Sequence, residues 1–345
     1  MSDHVELQSA IICAHPAELK LAIAQGPHLS IYADGRIVPV STAHTASIRA
    51  VAFSTDGAII ASVSDDKILS VADASSGALL NRQTFDKKLT SVIFVDQGIV
   101  VGDRFGVVYL IENAANDDAI VSEILGHIET ITALSALPSI IISADIDSKI
   151  RCSNWPRAYN IESFCFGHQG AITALCIVTS SSFVSAGEDG TVRFWDVSSG
   201  RQLALHECAE STPVLSVAFD AANSLLAFVA SGSKQVHFCT VESNQFSKMS
   251  SVSLELEPVS LCFNASRLFV ASANSICSLV LDESRNLTLE ASHSVADEYM
   301  AKTSAAITPV PFIFDEISRK KETERRQEKR AKLNRKSVAD GSVSD

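Results

Sequence analysis

Short apolar runs separated by turn residues recur along most of the chain. Ala171 to Val178 is followed by Phe183-Val184-Ser185-Ala186, the turn Gly187-Glu188-Asp189-Gly190, and then Thr191 to Trp195. One period earlier, Ile131 to Leu134 precedes Ile141 to Ala144 and Lys149-Ile150-Arg151. Fainter copies lie on both sides: Ile48 to Phe53 with Ile59 to Leu69, Leu89 to Phe94 with Val100 to Tyr109, Val214 to Phe219 with Leu225 to Ala230, and Val259 to Phe263 with Leu268 to Ala271. Residues 8 to 33 add three runs, Ser9 to Cys13, Leu19 to Ile23 and Leu29 to Tyr32. Runs of this length, bounded by turn residues, predict strands, and no long helical period interrupts them before residue 315.

Two dipeptides fix the period. Gly126-His127 and Gly167-His168 lie 41 residues apart, and the second repeat closes on Trp195-Asp196. That spacing, with GH at one end and WD at the other, is the signature of a WD repeat, one four-stranded blade of a propeller. The copies number six, and the N-terminal runs make a seventh, so residues 1–312 are expected to form an all-β, seven-bladed WD40 β-propeller. A single blade cannot bury both its faces, so the ring must close. Leu287 to Ala291 is the expected closing strand, pairing near the N-terminal blade.

His168, Ser185, Asp189 and Trp195 invite a catalytic reading. In WD repeats they instead form a structural network, because a buried carboxylate is tolerable only when it is paired. The same network is expected of His127 and Asp147, with Ser153 standing where the tryptophan would be. The chain has no GxGxxG, GxxxxGK[ST], GxSxG or HExxH, and no converging carboxylate or metal set, so no enzymatic chemistry, cofactor or metal is expected in it. The eight cysteines occur singly and read as reduced core residues. The opening MSDHVELQSA lacks the order of a signal peptide, and no apolar run is long enough to cross a bilayer, which points to a cytosolic or nuclear protein.

Charge is divided unevenly. Residues 319–336 hold ten Lys/Arg against three Glu, and residues 337–345 add two Asp, so the formal −12 of the chain leaves about 17 excess negative charges on residues 1–318. The body should repel nucleic acid, while the tail attracts it. Residues 313–336 are expected to form a basic helical tail, with Lys320, Lys321, Arg325, Arg326, Lys329 and Arg330 as candidate phosphate or nuclear-import contacts, and residues 337–345 a disordered terminus.

Several segments go beyond a generic propeller. Val100 to Tyr109 (VVGDRFGVVY), Ile141 to Arg151 (IISADIDSKIR), Ile161 to His168 (IESFCFGH) and Val192 to Leu203 resemble the WD-repeat, non-catalytic subunit of the tRNA (guanine-N7) methyltransferase, most specifically over residues 95 to 205. The resemblance implies a heterodimer in which a separate Rossmann-type subunit binds S-adenosylmethionine and methylates guanine N7 in the tRNA variable loop, while the propeller stabilises that subunit and is not itself an enzyme. It implies a nuclear protein, with the cytoplasm also open. It also implies a partner contact at the end of the ADxDxKIR run, which maps onto Arg151 with Lys149 two positions before it. Ile146 and Ser148 here replace residues that are charged in other members. Residues two apart on a strand share a face, so Lys149 and Arg151 are expected to present two cations side by side to a partner carboxylate. The alternative class is an adaptor in another nuclear complex, in ribosome assembly or ubiquitin ligation.

Overall fold

The computed structural model describes residues 10–33, 36–273, 275–282 and 287–294 of the 345. The basic tail, its six candidate cations and the expected boundaries at 312 and 336 therefore lie outside the described residues. What is described is a ring of seven antiparallel sheets, each built from consecutive strands. Blade 1 holds β1 (Ile11–Ala14), β2 (Lys20–Gln25), β3 (His28–Ala33) and β4 (Arg36–Val40). Blade 2 holds β5 (Ile48–Phe53), β6 (Ile59–Ser64), β7 (Ile68–Asp73) and β8 (Leu79–Thr84). Blade 3 holds β9 (Leu89–Val95), β10 (Gly98–Asp103), β11 (Val107–Glu112) and β12 (Ile120–Gly126). Blade 4 holds β13 (Ile131–Leu137), β14 (Ile140–Asp145), β15 (Ile150–Asn154) and β16 (Ile161–Cys165). Blade 5 holds β17 (Ile172–Thr179), β18 (Ser182–Gly187), β19 (Thr191–Asp196) and β20 (Gln202–Glu207). Blade 6 holds β21 (Val214–Asp220), β22 (Leu225–Ala230), β23 (Gln235–Glu242), a two-residue β24 (Gln245–Phe246) and β25 (Ser250–Ser253). Blade 7 holds β26 (Pro258–Asn264), β27 (Arg267–Ser272), β28 (Ser275–Leu281) and β29 (Leu287–Ser294).

The first strand of each blade packs beside that of the next, and β1 packs against both β5 and β26, which closes the circle. The second strands are sandwiched between neighbouring blades. Every residue of β14, β18 and β22 is buried, which is why those strands are dominated by apolar residues, whereas the outermost strands β8 and β12 are mostly exposed. Seven apolar clusters each straddle one seam, so no blade has a core of its own.

The closure differs from expectation. β29, the anticipated closing strand, pairs with β28 (Leu281 opposite Leu287) and completes blade 7, and blade 1 finds its four strands in residues 11–40. The ring is shut by packing without a shared sheet. Ile12, Leu21 and Ile23 meet Phe269, Ala271 and Ile276 across the seam. Asn264 Nδ2 reaches the carbonyls of Glu18 and Lys20 at 2.9 and 3.1 Å, and Gln25 Nε2 donates to Ala273 O at 2.9 Å. The N-terminal runs were long enough to fill a whole blade, so nothing remained for a late strand to complete.

Candidate partner surface on blades 3 and 4

The His168 network is assembled as the repeat predicts. His168 Nδ1 lies 3.0 Å from Asp189 Oδ2, and its Nε2 lies 2.7 Å from Ser185 Oγ. Trp195 Nε1 donates to the same Oγ at 2.7 Å. Because the carboxylate can only accept, Nδ1 carries the proton; Ser185 then donates to Nε2 and accepts from the indole, so each group has one consistent role. Burial alone would raise the Asp189 carboxyl, but hydrogen bonds from His168, the Gln169 amide and Thr191 hold it well below the usual carboxylate range. Ser, His and Asp in this order resemble a catalytic triad, yet Ser185 is completely buried, so its Oγ has no route to a substrate.

Blade 4 solves the same problem with a different carboxylate. His127 Nδ1 lies 2.9 Å from Asp145 Oδ2, not on Asp147, and its Nε2 lies 2.7 Å from Ser143 Oγ. Asp145 and Gly187 hold the same place in their ladders, opposite Ile131 and Ile172. A Cβ built on Gly187 would sit 2.7 Å from His168 Nδ1 and 2.8 Å from Asp189 Oδ1, so a carboxylate can enter from either position but not from both. Asp147 is left at the surface, where it pairs with Lys149 Nζ at 2.7 Å. Blade 2 forms a third network, with His44 between Asp66 at 3.1 Å and Ser62 at 2.9 Å.

Lys149 and Arg151 are not presented as a pair. Lys149 precedes β15 and ends on Asp147, a contact that raises its ammonium pKa. Arg151 folds back on its own blade and onto the end of β12: Nε donates to Ser153 Oγ at 2.8 Å, Nη2 to Ala158 O at 2.7 Å and Nη1 to Gly126 O of blade 3 at 3.4 Å. The serine in the tryptophan position is therefore an acceptor for the arginine, and burial lowers the guanidinium pKa.

The turns and links of blades 3 and 4 also carry exposed apolar side chains that the strand pattern hides. Ile128 is 86% exposed, Phe166 68% and Phe105 61%. Gly106 has φ +88°, and a Cβ there would collide with the carbonyls of His127 and Glu129, so the β10–β11 turn lies hard against the link into blade 4. That approach sets the turn that carries Phe105 against the link that carries Ile128. Thr130 Oγ1 donates to Arg104 O at 2.7 Å, and Ile146 N to Thr130 O at 3.0 Å, which adds the turn preceding Lys149 to the same surface. Lys87 Nζ stands 4.7 Å over the Phe105 ring, and Phe166 stacks on Phe164 with centroids 5.7 Å apart. The available signal was position: Phe105 and Ile128 fall in a turn and a link, outside the alternating strands. Among the described residues, no three His, Cys, Asp or Glu side chains are placed to hold a metal ion.

Comparison with known proteins gives this surface a context. Residues 113–291, just over half of the chain, match the family described as the tRNA methyltransferase TRM82 WD40 domain, and residues 35–73 match the WD domain, G-beta repeat. The chain is 31% identical over 163 residues to the tRNA (guanine-N(7)-)-methyltransferase non-catalytic subunit of Homo sapiens, covering 46% of this chain and 39% of that one. It is 26% identical over 239 residues to the subunit of the same name in Dictyostelium discoideum, covering 59% and 51%. The matched segments thus span about half or less of these relatives' own length. Among solved structures, that of U3-55K superposes with a TM-score of 0.69 at 21% identity, over 77% of this chain and 88% of that one, a likeness of fold alone. On the match over residues 113–291, the chain belongs to the tRNA methyltransferase TRM82 WD40 domain family.

Proposed function

We propose that the chain is the non-catalytic subunit of a heterodimeric tRNA (guanine-N7) methyltransferase, a scaffold that holds a separate catalytic subunit in its working shape. The relatives carry that name, and the family match supplies the strongest support. In this reading the other subunit binds S-adenosylmethionine and forms N7-methylguanosine in the tRNA variable loop, and the complex works in the nucleus, with the cytoplasm also open to it. The surface best suited to the partner is that of Phe105, Ile128 and Phe166 beside Lys149 and Arg151. A small cluster of exposed apolar anchors rimmed by charge is what a protein interface requires. Arg151 acts in part by holding the link at Gly126 in place.

The test is reconstitution with the catalytic subunit. Phe105→Ser with Ile128→Ser is expected to weaken association more than tenfold, about 2 kcal/mol, and to lower tRNA methylation while the propeller melts as before. Full-strength association of that variant would remove this surface from the interface, and a purified complex without N7-methylation would remove the methyltransferase reading.

A further inference from the structure

A cavity of about 430 Å³ opens between blades 5 and 6, lined by His206, Glu207, Cys208, Gln235, His237 and Ser251 among others. We propose that this cavity is an arginine socket, and that its occupant is the chain's own basic segment, residues 319–336.

The internal repeat shows what the space is shaped for. Ser143 lies opposite Arg151, Ser185 opposite Arg193 and Phe228 opposite His237, so His237 stands in the register position of the two arginines. Cys208 N donates to Gly190 O at 2.8 Å as His127 N donates to Gly106 O at 2.8 Å, which puts Glu207 in the place of Gly126 and Gly167. In blades 4 and 5 that is where a guanidinium rests: Arg151 Nη1 is 3.4 Å from Gly126 O, and a Cβ on Gly167 would touch Arg193 Nη1. Blade 6 has the shorter imidazole there, and its ring is drawn onto Phe228, stacked at 5.1 Å. The guanidinium is missing and a carboxylate faces its place.

The remaining lining suits a cation. Gln235, Ser250, Ser251 and Thr212 offer oxygen acceptors, and burial lowers the pKa of both His206 and His237, which favours the neutral imidazoles. A metal ion is the less apt guest, since no three ligating side chains converge among the described residues. Arg fits better than Lys because its planar fork can pair with Glu207 and a hydroxyl together.

The C-terminal segment carries such groups in number. Ser294 pairs with Ser275 at the end of blade 7 where β27 gives way to β28, and the equivalent end of blade 6 supplies Ser233 to the cavity. The chain thus leaves the described residues on the cavity's own face. The 24 residues between Ser294 and Arg319 could span on the order of 80 Å if extended. Residues 319–336 carry five Arg and five Lys against three Glu, opposite in sign to the body. While seated in the socket, these cations are withheld from phosphates, so the cavity competes with nucleic acid for the tail.

The experiment uses the full chain, measuring the rate at which trypsin cuts within residues 319–336. Tethering supplies an effective concentration of about 1 mM, so a site with a Kd of about 0.1 mM gives roughly tenfold protection. That protection is expected in the native chain and lost in His237→Arg, which fills the slot as in blades 4 and 5, and in Glu207→Gln, an exposed change that keeps the fold if the first does not. Equal cutting in the native chain and Glu207→Gln overturns the proposal. Protection that grows with protein concentration would put a second copy's tail in the cavity and overturn the intramolecular assignment.

Discussion

The first three strands of blades 5 and 6 form the same antiparallel ladder and bury the same second strand, yet the two blades fill the space beside it by opposite means. Blade 5 puts Ser185, His168 and Trp195 there as a hydrogen-bonded chain ending on Asp189. Blade 6 has Phe228, Cys208 and Cys239 in the corresponding places, and Phe228 and Cys239 belong to the apolar seam between the two blades. One blade satisfies polar groups and the other dispenses with them. The ladder geometry does not depend on which is chosen, and this is why blade 6 can lose the WD signature without losing the fold. The polar solution is also the more demanding, because the buried carboxylate, imidazole and hydroxyl must each find a partner, as they do in blades 2 and 4 even without the tryptophan.

The largest expected effect separates the two solutions directly. Trp195→Ala should destabilise the propeller by about 3–5 kcal/mol, since it empties the space of a fully buried indole and removes the donor to Ser185 Oγ. Cys239→Ala, in the same register position of blade 6, should cost about 1 kcal/mol, because it removes one small apolar atom. Denaturant midpoints of the two variants measure the contrast. Equal losses would mean that the network in blade 5 contributes no more than packing does.

Acid sharpens the comparison further. The Asp189 pKa is depressed in the folded state, so its contribution is present above the ordinary carboxylate value of 3.8 and is lost as pH falls below it toward the folded value. Blade 6 has Ser233 in its turn and no such carboxylate. Asp189→Asn should cost about 2 kcal/mol at pH 7 and progressively less below pH 4, so that the two stability curves converge. Parallel curves down to pH 2 would show that the carboxylate is not paired as described.

Much of this was legible in the chain. The GH and WD dipeptides located blade 5 and its network, and the apolar runs located the other strands. What the pattern missed has physical reasons. The strand from residue 287 was assigned to ring closure because sequence spacing does not reveal which edge a strand joins. Lys149 and Arg151 were expected side by side from strand periodicity, but Lys149 lies before the strand and Arg151 is held inward by Ser153 and Ala158. The exposed Phe105 and Ile128 lie on a turn and a link that the close approach at Gly106 sets against each other, an approach that no periodicity encodes.

The smallest effect tests the subtlest of these points, the carboxylate of blade 4. Counting from Asp189, sequence alignment selects Asp147 as the partner of His127, whereas the structure places Asp145 there, nearly inaccessible, and leaves Asp147 about half exposed on Lys149. Asp147→Asn should therefore shift stability by no more than about 0.5 kcal/mol, as an exposed ion pair does, while Asp145→Asn should cost about 2 kcal/mol. Asp145 also accepts the backbone amides of Asp147 and Lys149 at 2.9 and 3.0 Å, so its loss should loosen the turn that carries Lys149 to the candidate partner surface. Hydrogen exchange at those two amides reads this out: faster exchange in Asp145→Asn and unchanged exchange in Asp147→Asn is the expected result. The reverse order would return Asp147 to the network and make blade 4 a copy of blade 5 in place of a variation on it.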